Sequence, residues 1–132
     1  MGELKQNIDV IKDMLVYISH IEDAENKFGS ILDFVGDCHY RYSVAFCVVR
    51  INMLRRWFSE DFRAAYPQLD EKIEMSRPGG SVPDTILLWV AAQKEIPSRK
   101  TLLKRLLDEY TLSAGAIAER GFTPPAKMVE AF

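Results

Sequence analysis

Cys38 and His39 set a thiol directly beside an imidazole, the pairing that thiolate acyl transfer uses. Helical neighbours point about 100° apart, so on a helix the two side chains do not face each other. The helical reading makes Cys38 a core residue and puts His39 on the line of Leu32, Phe46 and Met53, while His20 falls on a polar face. A carboxylate-bridged di-metal centre needs Glu three residues ahead of His, and Tyr17 and Gly36 occupy those places. Zinc-type Cys-x-x-Cys and His-x-x-x-His spacings are missing, and Gly79–Gly80 has no Gly-Lys-Ser/Thr beside it. The expectation is therefore no catalytic residue, no metal ligand and no cofactor.

Two groups of residues have the chemistry to hold a macromolecule. In the first, Arg55, Arg56 and Trp57 continue a basic, aromatic stretch with Arg50, Phe58, Phe62 and Arg63. Such arginines stack on bases or anchor an interface, or else pair with Glu60, Asp61 or the acidic first helix. The second lies in residues 98–121, which scan as two helices around Tyr110-Thr111-Leu112-Ser113, the layout of a DNA-binding helix-turn-helix. Arg99, Lys100, Lys104, Arg105 and Arg120 would then face the nucleic acid. Thr111 occupies the usual glycine place in that turn, and Ser113-Ala114-Gly115-Ala116 carries few side chains long enough to reach base edges.

The elements that must position these residues read as helices. Leu4, Ile8, Ile11, Leu15 and Ile18 form one stripe, and Val10, Met14, Tyr17, Ile21, Ala24 and Phe28 a second. Together they span an arc of about 160°, wide enough for two neighbours in a bundle. Gly29 ends this helix, and Ser30 with Asp33 makes a capping box for the next. With no Gly or Pro between Gly36 and Pro67, the second helix reads as long and buried on most sides. The rival reading of Tyr40–Ile51 is a strand, since Tyr40, Tyr42, Val44, Phe46 and Val48 alternate. Beyond Pro67 a short helical stretch carries Leu69, Ile73 and Met75. Ser81 and Asp84 then predict a helix from about Val82 that stops before Pro97, with Ser98 capping the next. Ser113 would cap a short helix ending at Gly121, and Met128, Val129 and Phe132 a final turn.

The 132 residues, 48% hydrophobic and 27% charged, suit a single helical domain over 1–132: an all-α bundle of about five helices with a long buried second helix. A net charge of −2 excludes a strongly basic whole-domain footprint. The charge is uneven: residues 1–39 carry three Lys/Arg against eight Asp/Glu, and residues 40–66 five against two. Glu3, Lys5, Asp9, Lys12 and Asp13 interrupt any leader-like apolar run, so a cytoplasmic protein without membrane contact is expected. The functional expectation is a non-enzymatic protein-binding bundle, acting as an adaptor, inhibitor or regulatory subunit. A DNA-binding transcriptional regulator using 98–121 is the alternative. Because the second helix is apolar around its circumference, a homodimer through it is expected too.

Overall fold

The computed structural model describes residues 2–80 and 83–119, and these are all-α: α1 (Gly2–Phe28), α2 (Ile31–Gly36), α3 (Cys38–Leu54), α4 (Glu60–Ala65), α5 (Pro67–Asp70), α6 (Thr85–Val90) and α7 (Ile96–Glu119). A 3₁₀ turn, Arg55–Trp57, follows α3, and a π-helical turn, Ala91–Glu95, joins α6 to α7. No strand occurs among the described residues, so the strand reading of Tyr40–Ile51 gives way to helix.

α1 buries Ile8, Ile11, Met14, Ile18 and Ile21, as its stripes require. Gly29 turns the chain at φ 80°, a left-handed conformation that suits a residue without Cβ. Ser30 accepts the Asp33 N–H at 3.2 Å, completing the capping box. α3 then runs back antiparallel along α1: Tyr17 meets Arg50, and Gln6 donates to the Trp57 carbonyl. Buried Asn7 locks the far end, donating to Ser59 Oγ at 3.1 Å and accepting the Ser59 N–H at 2.9 Å.

Several boundaries depart from the sequence reading. The long second helix is two helices, because Asp37 adopts an extended conformation and its Oδ1 accepts the N–H groups of His39 and Tyr40, restarting the helix. Nor is α3 buried on most sides; it buries one face only, as shown below. The stretch after Pro67 is helical for one turn, and Ile73 lies instead in non-helical chain held by Asn52, which accepts its N–H at 2.8 Å and donates to its carbonyl at 3.0 Å.

α6 starts at Thr85, three residues later than expected, with Asp84 as the cap accepting from Ile86 and Leu87; Ser81 and Val82 lie outside the described residues. Pro97 does not stop the chain's helical course. A proline inside a helix removes one donor and crowds the carbonyl four residues back. Here the preceding turn widens to π geometry, with Ile96 N–H donating to Ala91 O five residues back, and helix resumes through Pro97. Ser98 is therefore interior to α7. So is Ser113: the turn expected at Tyr110–Ser113 does not form, and the hairpin at 98–121 is one continuous helix as far as Glu119. Gly121, Met128, Val129 and Phe132 lie outside the described residues.

The core joins these elements around Tyr40, Phe34 and Trp89, with Phe34 edge-on to Tyr40 at 4.8 Å and tilted against Trp89 at 5.1 Å. α7 closes the opposite side of α1, where Lys100 Nζ pairs with Glu22 at 2.6 Å. No described helix is long and apolar enough to cross a membrane.

Candidate protein-docking face

α3 carries two apolar stripes. Tyr40, Val44, Val48 and Ile51 point into the core and are 0–1% exposed. Tyr42, Phe46, Val49 and Met53 lie about half a turn round the helix, within an arc of about 60°, and stand 65%, 60%, 39% and 50% exposed. Both sets have the spacing of a helix that packs on each side. Among the described residues, only one side is covered.

The exposed stripe is flanked, not isolated. α1 lies alongside, and the seam between the two helices opens into two hollows set end to end. One, of about 740 Å³, is lined by His20, Asp23 and Lys27 of α1 and by His39, Tyr42 and Phe46 of α3, among others. The other, of about 460 Å³, lies between Asp9 and Asp13 on one wall and Leu54 and Trp57 on the opposite one. Between them Tyr17 bridges the helices: its ring meets Phe46 edge-on at 6.3 Å, its hydroxyl accepts from Arg50 Nε at 3.2 Å, and the Arg50 guanidinium sits 5.7 Å from its ring centre. Val16, on the outer side of α1, is exposed too. The result is a two-helix face with an apolar middle and charged ends.

The face has little means for covalent chemistry. Cys38 and His39 are both exposed on the first turn of α3, so Cys38 is not the core residue the helical reading made it. Cys47 is buried, and burial pushes its thiol up, away from the thiolate a nucleophile needs. Among the described residues, no three of His, Cys, Asp and Glu come together in a metal-binding group. No protein-family model, curated protein or solved structure matches this chain.

The basic candidates are scattered by the fold. Trp57 is 63% exposed and Arg56 is exposed beside it, both at the carboxy-terminal end of the α3 stripe. Arg55 turns inward instead, donating to the Asp70 carbonyl at 2.7 Å and lying 3.6 Å from its carboxylate. It therefore pairs with α5, not with Glu60, Asp61 or the first helix. Arg99 is 7% exposed and donates from Nη2 to the Glu71 carbonyl at 2.7 Å; burial lowers its pKa. The two arginines thus tie down the last carbonyls of α5 and the residue after it, a structural task.

Lys100 is engaged with Glu22, and Arg105 lies 3.7 Å from Glu109 one turn on. Lys104 is exposed, and Arg120 lies outside the described residues. Arg99, Lys100, Lys104 and Arg105 do not make one open basic face, and the continuous α7 offers no separate recognition helix. The residues that do make a face, Tyr42, Phe46, Val49 and Met53, were visible in sequence only as part of an all-round apolar helix. Their signal was the second stripe, half a turn from Tyr40, Val44, Val48 and Ile51.

Proposed function

We propose that this protein is a non-enzymatic protein-binding helical bundle, an adaptor, inhibitor or regulatory subunit, whose working surface is the outer face of α1 and α3. The observation that carries this reading is the exposed stripe Tyr42, Phe46, Val49 and Met53, with Trp57 at its end. Three partly exposed rings, each with roughly 150–250 Å² of surface, leave an apolar patch on the order of several hundred Å², the size that marks interaction sites on soluble domains. Aromatics and methionine with an arginine rim are also the composition enriched at interfaces.

The partner element this face fits is one that brings an apolar helical stripe of its own against Tyr42, Phe46, Val49 and Met53. A photo-crosslinking residue at Val49, with Lys104 as an exposed control, tests the reading in cells. The expected outcome is a defined protein adduct at Val49 and none at Lys104, with binding of the purified adduct partner abolished by Phe46→Glu. No adduct at Val49, or equal adducts at both positions, would overturn it.

A further inference from the structure

We propose that the α3 stripe is occupied by a second copy of this chain, packed antiparallel across a two-fold axis between Phe46 and Val49. This assignment rests on reading the α1–α3 face as a docking surface. An isologous contact requires a patch that contains its own complement. Along α3 the steps from Tyr42 to Phe46, Val49 and Met53 are 4, 3 and 4 residues, which read the same in both directions. These are also the alternating steps of a coiled-coil seam. Run antiparallel, the stripe sets Tyr42 opposite Met53 of the second copy and Phe46 opposite Val49 of the second copy. A ring faces a smaller side chain at every level.

The positions beside the seam permit close approach. On one side they are Cys38, Ala45 and Asn52, with Asn52 folded inward onto Ile73. On the other they are Ser43 and Arg50, and Arg50 is drawn aside onto Tyr17. Between Tyr42 and Met53 no charge therefore points across the seam at its own image, and one step beyond, His39 comes opposite Arg56 of the second copy.

The axis that relates the two α3 helices also stacks α1 over its copy, because α1 lies on the same flank of each. The level of the axis, between Phe46 and Val49, corresponds to Tyr17 on α1, next to exposed Val16. About this centre Lys12 faces Asp23 of the second copy, and Asp23 faces its Lys12. Both side chains are exposed in the single chain. The apolar middle and the two Lys12–Asp23 pairs thus fall in the same register.

Two helices exposed over about 16 residues make a surface about 24 Å long and about 20 Å wide, about 480 Å² in projection, the size of a small interface.

Sedimentation equilibrium of the whole chain over a wide concentration range tests the assignment, with circular dichroism confirming the fold of each variant. The expected mass rises from 15.1 kDa to twice that value. Val49→Glu should keep its helicity and weaken the dimer by about a hundred-fold or more. Lys12→Glu and Asp23→Lys should each weaken it by about three- to ten-fold, the symmetry counting each pair twice, and the double variant should restore it. A dimer that Val49→Glu leaves intact, or that the double swap does not rescue, overturns this packing. A chain that stays at 15.1 kDa while Val49 crosslinks to a different protein overturns the second copy and leaves the docking face standing. A chain that stays monomeric with no adduct at Val49 overturns both.

Discussion

The inner and outer faces of α3 are made of the same kinds of residue and meet opposite fates. Tyr40, Val44, Val48 and Ile51 are sealed under α1, α2 and α6, while Tyr42, Phe46, Val49 and Met53 face away from the bundle. Among the described residues, the difference lies in which elements pack on each face. α7 packs on the far side of α1, tied there by Lys100 and Glu22. The non-helical segment around Ile73 meets α3 at Asn52, on the covered side. An apolar helix therefore reports how much cover a fold needs, and the neighbours decide where that cover stops.

Adjacent valines give the sharpest way to break this comparison. Val48 is 0% exposed and Val49 39%. Val48→Asp places a carboxylate in the core without a partner, and the expected loss of about 3–5 kcal/mol removes a large share of the roughly 5–15 kcal/mol a domain has and lowers the urea midpoint sharply. Val49→Asp should keep the native circular dichroism spectrum and lose less than about 1 kcal/mol in urea unfolding of the monomer. If both variants unfold, the outer face is structural and not a docking surface.

Next in size is a truncation pair on the same helix. Ile51→Ala should cost about 2–4 kcal/mol through the cavity it leaves, whereas Met53→Ala, cut from an exposed position, should cost under about 0.5 kcal/mol under monomeric conditions. Asn52→Ala falls between them. It leaves the Ile73 N–H and carbonyl buried and unpaired, for an expected loss of about 2 kcal/mol and faster amide exchange at Ile73. Equal losses at Ile51 and Met53 would mean that the outer stripe is covered within one chain.

Where a rule is local, the sequence shows it. The α1 stripes, the turn at Gly29 and the Ser30–Asp33 box all rest on residues within a few places of one another. The helical character of Tyr40–Ile51 was likewise legible from the lack of breakers. What was not legible depended on choices made elsewhere. Asp37 is an unremarkable residue until its carboxylate captures two N–H groups and splits one expected helix into two. Pro97 reads as a stop unless the preceding turn can widen, which Ala91 and Ala92, both buried and small, allow.

The same limit applies to the candidate site. Arg55, Arg56 and Trp57 stand together in sequence, yet Arg55 turns inward while Arg56 and Trp57 stay out, because Asp70 lies on one side of the 3₁₀ turn only. Arg99 and Lys104 share a helix and differ in burial because α7 lays one edge over Glu71. Charge in sequence marks the residue, and packing decides whether it faces a partner.

The smallest expected effect tests the edge of the covered region on α1. Glu25 is half-buried beside α7, accepting from Gln93 Nε2 at 3.2 Å, whereas Asp23 two residues earlier is exposed on the outer face. Burial, and then the neighbouring Glu22 carboxylate, raise the Glu25 pKa above the ordinary glutamate value of about 4.3. The folded state thus holds this proton more tightly than the unfolded one. At neutral pH the group is charged in both states and subtracts from stability; as pH falls through the folded pKa and then the unfolded one, that penalty is lost. Glu25→Gln removes it while keeping an amide oxygen for Gln93. The variant should melt about 1 °C higher at pH 7, a modest gain because solvent screens a half-exposed carboxyl, and the gain should vanish below about pH 4. A Glu25→Gln variant that melts lower at pH 7 would mean that the carboxylate is held favourably, and that the covered side of α1 ends short of Glu25.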